Sequence, residues 1–535
     1  MKKGITLLVC LLLAVSIAFI SCQRSQSPAA GAAASAAMEM VINNGTQIQS
    51  IDPSQITGVP EHRVYMALFE GLVGYDPQNA KAVPGVAESW VYNSTNDVIT
   101  FTIRQGITWS DGTAITAQTM VDSWLHTLDP ATASEYAYMM GEVVKGAEGF
   151  YTGHGTKQDV AIRAVDSRTF EVTLVGPVPY ALDMMAHYTF SPLPMHVINR
   201  HGSNWTRVEN FVGNGPFVLQ EYIPNNRIVA VPNDKYWNKA NVFLTKITFL
   251  PIEDQNTAYN GFLNGEIDWG TDVPLARIDE VKLNKDYQVS AQAGTYYILI
   301  NQYSSHAALR DSRVRRAISM AINREELINN VTKGGQLPAN NLVPAMGNYQ
   351  PPTGQGFNVA EAQRLLAEAG YPNGQGLPTF EYVYNTLDSH RIIGEYIQQS
   401  LKNNLGININ LTNMEWATYL DYRSNGPFQL ARAGWIADYL DPQNLLDLLI
   451  TGSGNNDGRY SNPEYDDLIK QASRLPDGPQ RNATMRQAEE IGIVRDQALI
   501  PIYFYVSQSM IDLSKWAGWY PNVLDVHPYI GIRKR

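Results

Sequence analysis

The chain has 535 residues, a formal net charge of −11 and a hydrophobic content of 44%. At about 150 residues per domain this length predicts several domains, and the apolar content is well above that of disordered chains. The acidic balance disfavours nucleic acid and anionic lipid as partners, because like charges repel.

The N-terminus has the pattern of an export signal. Lys2 and Lys3 precede an apolar run over 5–20, which is shorter than the roughly 20 residues of a membrane-spanning helix. Ile20-Ser21-Cys22 then resembles the cleavage site of bacterial lipoproteins, with Phe19 where Leu is usual. This pattern implies a signal peptide over 1–21 and a lipid on Cys22; ordinary secretion with an unmodified Cys22 is the alternative.

A polar, low-complexity stretch follows the predicted signal. Residues 22–38 are rich in Ser, Ala and Gly, a composition typical of flexible tethers. The only other cysteine is Cys10, so the body beyond the tether is expected to contain neither a disulfide nor a thiolate metal site.

The body alternates strand and helix patterns. Residues 99–103 and 170–174 alternate apolar and polar side chains, which predicts half-buried strands. Apolar residues at helical spacing predict helices over 314–321 and 358–370, the second with a capping box from Asn358 to Glu361 and Gly370 as its end. A strand is expected over 407–411. The interleaved elements predict an α/β protein of several lobes with mixed sheets flanked by helices.

Motifs that carry catalytic chemistry are missing from the sequence. It has no glycine-rich phosphate loop of either common type, no H-E-x-x-H and no G-x-S-x-G. The nine histidines are scattered, which disfavours a histidine-based metal site. We therefore expect no enzyme activity, no cofactor and no metal, and a binding function.

Two blocks of the sequence carry a family resemblance. The first begins at Gly58-Val59-Pro60-Glu61 and continues through Pro84-Gly85-Val86-Ala87-Glu88-Ser89-Trp90 to Trp109-Ser110-Asp111-Gly112-Thr113; the second is Ala431-Arg432-Ala433-Gly434-Trp435-Ile436-Ala437-Asp438-Tyr439. In this order they resemble the periplasmic oligopeptide-binding proteins, the extracellular solute-binding components of peptide/nickel ABC transporters. The similarity extends from about Ile42 to the C-terminus.

The resemblance implies a periplasmic-binding-protein-like fold, type II, cluster C: two lobes joined by a hinge, with an extra domain. Lobe I is expected to be discontinuous, over 39–70, 196–292 and 506–535. The extra domain II is expected over 71–195 and lobe III over 293–505. Lobes I and III would close over an extended peptide.

The resemblance also assigns charged residues to the ligand. In the family, the aspartate of G-W-x-A-D-Y pairs with the ligand's α-ammonium, and Asp438 matches it; a cap or turn residue is the alternative. Arg432 and His390 match groups near the peptide carboxylate, the arginine permanently charged and the histidine a pH-dependent donor. Arg423 matches another arginine of the cleft.

The remaining expected contacts are walls and backbone groups. Trp416 and Trp435 would form flat walls of side-chain pockets, unless they belong to the core. Backbone groups would bind the peptide main chain as a strand does. The resemblance assigns these backbone contacts to Gly434, Ile436 and Val59, and further cleft positions to Tyr136, Asn385 and Tyr505.

Two positions depart from the family pattern. Thr57 stands before Gly58 where the family prototype has an acidic residue, which removes a carboxylate that would attract basic side chains. Ile436 replaces a cysteine, keeping the backbone contact but enlarging the side chain.

Together these features predict a monomeric, lipid-anchored receptor in the cell envelope that captures short peptides. It would deliver them to a membrane permease driven by cytoplasmic ATPases. Alternatives within the fold are a murein peptide, a dipeptide, a metal chelate or haem as cargo. A surface adhesin and a peptidase are alternatives from other classes.

Overall fold

The computed structural model describes residues 38–303 and 306–535. The predicted signal peptide, Cys22 and nearly all of the tether lie outside these residues. Within the described ranges, no helix has both the length and the apolar character needed to cross a membrane.

The strands alternate with helices along the chain. The strands are β1 (Glu39–Asn43), β2 (Val73–Tyr75), β3 (Ala82–Pro84), β4 (Ala87–Tyr92), β5 (Val98–Ile103), β6 (Ile162–Ala164), β7 (Thr169–Thr173), β8 (Phe217–Ile223), β9 (Arg227–Pro232), β10 (Lys246–Leu250), β11 (Trp269–Gly270), β12 (Tyr287–Ile300), β13 (Leu337–Pro338), β14 (Phe380–Asn385), β15 (Ile409–Met414), β16 (Leu430–Ile436), β17 (Leu499–Ile511), β18 (Trp516–Ala517) and β19 (Arg533–Lys534). The α-helices are α1 (Val59–Leu68), α2 (Ala117–Leu128), α3 (Ala137–Val143), α4 (Ala147–Tyr151), α5 (Ala181–Met184), α6 (Met195–His201), α7 (Gln255–Leu263), α8 (Ile278–Val281), α9 (Ser312–Met320), α10 (Arg324–Glu326), α11 (Val359–Glu368), α12 (Asp388–Leu405), α13 (Trp416–Asn425), α14 (Gln443–Leu446), α15 (Pro463–Ala472) and α16 (Pro479–Glu489).

One mixed sheet of eleven strands forms the framework, in the order β15-β14-β16-β12-β17-β11-β1-β10-β9-β8, with β13 on β17. β1, β8, β9, β10 and β11 make up one side, which we call the first half-sheet. β14, β15 and β16 make up the other, the second half-sheet. The observed mixed sheets with flanking helices confirm the predicted α/β class.

The two half-sheets are joined by β12 and β17, which pair antiparallel along most of their length. Their register shifts between Ala291 and Thr295; β17 pairs with β11 of the first half-sheet, and β12 pairs with β16 of the second. The second section of β12 pairs with β16, from Gly294 opposite Ile436 to Ile300 opposite Leu430. The cleft residues described below lie around this junction.

A separate antiparallel sheet, β4-β5-β7-β6, is formed by residues between 87 and 173. Phe101 lies opposite Phe170 in its register, with ring centroids 6.2 Å apart. Trp124 of α2 packs edge-on against Phe170 at 5.1 Å and donates its indole N–H to the Phe190 carbonyl at 3.0 Å. This aromatic contact covers one face of the sheet with a helix.

The predicted local elements are largely confirmed. α9 and α11 coincide with the two predicted helices, and β5 and β7 with the two alternating segments. Asn358 accepts from the Glu361 N–H at 3.1 Å, and Gly370 has φ +96°. The Glu361 side chain, however, receives Arg364 at 2.6 Å instead of closing the predicted capping box, because an arginine one turn on provides a charged partner. The strand expected over 407–411 runs two residues later, as β15.

Candidate functional site

A cavity of about 310 Å³ lies where the two half-sheets and α1 meet. One wall is formed by the residues after the carboxyl ends of β1 and β11 and by the N-terminus of α1. The other wall is formed by β16, α12 and α13. All twelve binding residues expected from the sequence line it: Val59, Tyr136, Asn385, His390, Trp416, Arg423, Arg432, Gly434, Trp435, Ile436, Asp438 and Tyr505.

Asp438 lies two residues beyond β16 with its side chain 15% exposed. Asn444 fixes it from both sides, since Oδ1 accepts the Asp438 N–H at 3.0 Å and Nδ2 donates to Asp438 Oδ2 at 3.2 Å. His187 Nε2 lies 3.3 Å from Oδ1. Among the described residues, no lysine or arginine forms an ion pair with Asp438. Asp438 is also not a helix cap, because α14 begins later and Asp441 accepts the Gln443 N–H.

Tyrosines surround the Asp438 carboxylate. Burial, with the charge of Asp438 as the next cause, raises the pKa of Tyr75, Tyr136 and Tyr188 well above the ordinary value. Their hydroxyls therefore stay protonated and uncharged. The Tyr136 ring also lies 4.7 Å from the His187 ring and 6.0 Å from that of Trp435. The carboxylate thus faces an aromatic, weakly hydrated environment in which a cation would be strongly attracted.

Arg432 supplies the opposite charge from within β16. Its guanidinium donates to Tyr505 Oη at 2.9 Å and to Asn385 Oδ1 at 3.4 Å, and lies 5.1 Å over the Tyr296 ring. Its Nε finds no hydrogen-bond partner within residues 38–303 and 306–535. These partners are neutral, and in the described part of the chain no carboxylate lies within ion-pair distance of Arg432. A buried guanidinium without a counter-ion is a strong anion site.

β16 presents a free backbone edge to the cavity. It pairs with β14 only at Leu430 and Ala431, while its pairing with β12 continues to Ile436. The carbonyl of Arg432 points away from β12 and accepts from Tyr419 Oη. Because strand backbone groups alternate in direction, those of Gly434 and Ile436 point the same way, toward the cavity.

Tyr505 explains why position 434 is glycine. A Cβ on Gly434 would overlap the Tyr505 hydroxyl and approach its Cζ to 2.8 Å. The ring therefore lies directly on the strand, and its hydroxyl reaches Arg432.

The other expected residues already have protein partners. Arg423 Nε lies 2.6 Å from Asp457 Oδ2, and both side chains are largely buried, so this arginine is neutralised within the protein. Trp416 donates its indole N–H to Glu61 Oε1 at 3.2 Å, and Trp435 donates to Asn444 Oδ1 at 2.8 Å. Both indoles are held in place at the wall.

His390 and Val59 complete the expected lining residues. Burial, and then the charge of Arg432, lower the pKa of His390 well below its ordinary value. This side chain is therefore neutral near pH 7 and offers a neutral imidazole instead of a charge that titrates there. Val59 begins α1 after Gly58 and is 37% exposed.

Several lining residues escaped the sequence analysis. Asp272 and Thr271 follow β11, and Asn44 and Gly45 follow β1. The two strands are parallel neighbours, and their carboxyl ends open at the same edge of the sheet. Residues after such ends are typical ligand positions in α/β sheets, which is the signal that would have found them.

The arrangement is that of a binding protein, with a cavity between the two half-sheets of one continuous sheet lined by charged and aromatic side chains. The family of bacterial extracellular solute-binding proteins, family 5, matches residues 81–457 through its middle region, and the chain belongs to this family. The periplasmic oligopeptide-binding protein OppA of Salmonella typhimurium is 37% identical over 499 residues, covering 90% of this chain and 89% of that protein. The crystal structure of an oligopeptide-binding protein, OppAIV, of Borrelia burgdorferi superposes with a TM-score of 0.90 at 35% identity, covering 93% of this chain and 100% of the other.

A relative solved in two structures indicates the conformation. The Escherichia coli murein tripeptide binding protein MppA matches with a TM-score of 0.89 at 33% identity, covering 93% of this chain and 99% of that chain. The unliganded open form of MppA matches with a TM-score of only 0.62 at 32% identity, covering 93% and 98%. The two half-sheets are therefore not arranged as in that open form.

Contacts across the cleft agree with a closed arrangement. The Trp416 bond to Glu61 joins α13 beside the second half-sheet to α1 beside the first. The Ser389 N–H of α12 donates to Gln255 Oε1 of α7 at 3.3 Å.

Proposed function

We propose that the chain is the substrate-binding component of a peptide ABC importer and captures short peptides in the cavity. The observation that carries this proposal is the pair of unmatched charges on one strand and its extension. Among the residues that the structure describes, Asp438 has no permanent cation as partner and Arg432 has no carboxylate, and both line the same cavity. A free peptide carries an ammonium at one end and a carboxylate at the other, which matches this pair.

The free edge of β16 between the two charges would bind the main chain. Gly434 and Ile436 direct backbone groups into the cavity, so a peptide lying beside them would add as a strand. Main-chain pairing is independent of side chains. We therefore expect peptides of many sequences to bind, provided that both of their termini are free.

Binding and closure are coupled in this proposal. A peptide can favour the closed state only through contacts that the open state lacks. Lobe I over 39–70, 196–292 and 506–535, and lobe III over 293–505, supply the two walls. The register shift between Ala291 and Thr295, opposite 504–506, supports a hinge close to these boundaries.

Titration calorimetry with peptides that differ only in their termini tests the proposal. After removal of co-purified ligand, tri- and tetra-alanine should bind, and their N-acetylated forms should bind at least about tenfold more weakly, since acetylation leaves Asp438 buried without its cation. Asp438→Asn should weaken binding of the free peptide and reduce the difference in affinity between the free and the N-acetylated peptide. Equal affinity of free and acetylated peptides would exclude the role of Asp438.

Anchoring and delivery complete the proposal. Lipidation of Cys22 after removal of 1–21, followed by the tether over 22–38, would hold this monomeric receptor at the outer face of a membrane beside its permease and ATPases. Labelling cells with a radioactive fatty acid should mark the wild-type chain and not Cys22→Ser. Label in both would refute the anchor.

A murein peptide is the second candidate cargo. The E. coli murein peptide-binding protein MppA is 34% identical over 531 residues, covering 97% of both chains. Mass spectrometry of the ligand that co-purifies separates this cargo from general oligopeptides. An adhesin or peptidase role has no supporting feature among the described residues.

A further inference from the structure

The charges that line the cavity do not balance. Four carboxylates, of Asp272, Asp438, Asp457 and Asp525, face three guanidinium groups, of Arg63, Arg423 and Arg432. The two lining histidines add no charge near pH 7: burial lowers the pKa of His62 to about 3 and that of His390 well below its ordinary value. The residues that line the cavity therefore carry a formal net charge of −1.

Two of the carboxylates are matched inside the protein. Asp457 pairs with Arg423 at 2.6 Å. Asp525 accepts from Ser507 at 2.8 Å, lies 3.0 Å from His527 and 3.8 Å from Arg63. Asp438 faces the proposed position of the ligand's α-ammonium. The surplus charge therefore resides on the remaining carboxylate, Asp272.

Asp272 is free of protein partners. Within residues 38–303 and 306–535, its carboxylate takes part in neither a hydrogen bond nor an ion pair, although it lines the cavity. Burial raises its pKa, an effect opposed by Arg63 and Arg432 and reinforced by Asp525. A partly buried carboxylate with its acceptors unfilled has lost hydration without gaining partners, which is unfavourable.

The surroundings of Asp272 leave room for a ligand group. A Cβ placed on Gly45 would lie 3.2 Å from Asp272 Oδ2, so the glycine keeps the space beside this oxygen open. Asp272 also lies close enough to Tyr503 and Tyr505 to raise their pKa values, after the larger effect of burial and of other charges. The carboxylate is therefore near the ring that contacts Gly434 and Arg432, two residues of the strand proposed to bind the peptide.

We propose that Asp272 forms a subsite for one cationic side chain, so that the cavity selects peptides carrying a single ammonium or guanidinium besides the α-ammonium. Such a ligand has net charge +1 and neutralises the cavity, whereas a peptide with neutral side chains leaves Asp272 uncompensated. The proposal rests on the proposed peptide function and deepens it.

Paired tripeptides test the subsite. Lysine is placed in turn at each position of tri-alanine, and each peptide is compared at pH 7.5 with its norleucine counterpart, which has the same carbon chain without the ammonium. In wild type, lysine at one position should bind at least tenfold more tightly than norleucine. In Asp272→Asn, which keeps the side-chain shape, this ratio should fall to about twofold or less.

A matched variant controls for long-range charge. Glu325→Gln removes one exposed negative charge outside the cavity, and should keep the tenfold ratio. Thermal unfolding of the ligand-free proteins verifies that Asp272→Asn is folded, and Asp272→Ala provides a second variant if it is not.

Three results would overturn the subsite. Norleucine binding as tightly as lysine at every position in wild type would do so without any variant. A lysine preference that persists in both folded Asp272 variants would place the cation elsewhere. If tri-alanine and all six substituted peptides fail to bind, the proposed peptide function fails and the subsite fails with it. If only tri-alanine and the norleucine peptides bind, the subsite alone is refuted.

Discussion

Replacing Gly434 by alanine should destabilise the protein through a single side chain. The added methyl group would overlap the hydroxyl of Tyr505 and lie 2.8 and 2.9 Å from its Cζ and Cε2 atoms. The backbone at Gly434 is not in the left-handed region, so alanine is accepted there without strain of its own. The whole cost therefore comes from displacing Tyr505.

The expected magnitude follows from three contributions. Overpacking costs about 1–3 kcal/mol, and loss of the 2.9 Å bond from Arg432 to Tyr505 adds about 1.5 kcal/mol or more. Replacing a strand glycine returns about 0.5–1 kcal/mol of backbone entropy. Gly434→Ala should therefore lose about 2–4 kcal/mol of the free energy of unfolding.

A double-mutant cycle isolates the overlap. Urea unfolding of the ligand-free protein gives the free energy for wild type, Gly434→Ala, Tyr505→Ala and the double variant. With the ring removed, the alanine at 434 should be neutral or stabilising, which gives a coupling of about 2 kcal/mol or more. Full stability of Gly434→Ala, or the same loss in the Tyr505→Ala background, would refute the reasoning.

Two further predictions concern buried ionisable groups. Burial lowers the pKa of His62 from 6.5 to about 3, so between these pH values the unfolded chain binds a proton that the folded chain does not, and stability falls as the pH is lowered below 6.5. Relative to His62→Gln, the unfolding free energy of wild type should fall by about 1.4 kcal/mol for each pH unit below 6.5. A difference between the two proteins that does not depend on pH would contradict this prediction. Arg423→Met leaves the buried carboxylate of Asp457 without its cation and should cost about 3–5 kcal/mol, while adding Asp457→Asn should recover part of that loss in the same unfolding assay; no recovery would show that the ion pair is not the cause.

The contiguous part of the site could be predicted from the sequence, because Arg432 to Asp438 follow one another on β16 and its extension. Local helix signals such as Asn358 and Gly370 were equally readable. The proposed role of Asp272 could not be predicted from the sequence, because it depends on β1 and β11 becoming neighbours. Thr271 donates a hydrogen bond to the Asn43 carbonyl across 228 residues of sequence. For the same reason the neutralisation of Arg423 by Asp457 emerges only from the fold.

The placement of Tyr505 beside the register shift of β12 and β17 has a consequence for the order of events in binding. A rotation of one half-sheet against the other about this line displaces atoms in proportion to their distance from it. Tyr505, at the register shift of β17, and Arg432, which it contacts, lie near this line and move little, whereas Glu61 and Trp416, which bond across the cleft, move apart. The carboxylate end of a ligand would therefore find its partners already assembled in the open protein, and the closing step would bring Trp416 to Glu61.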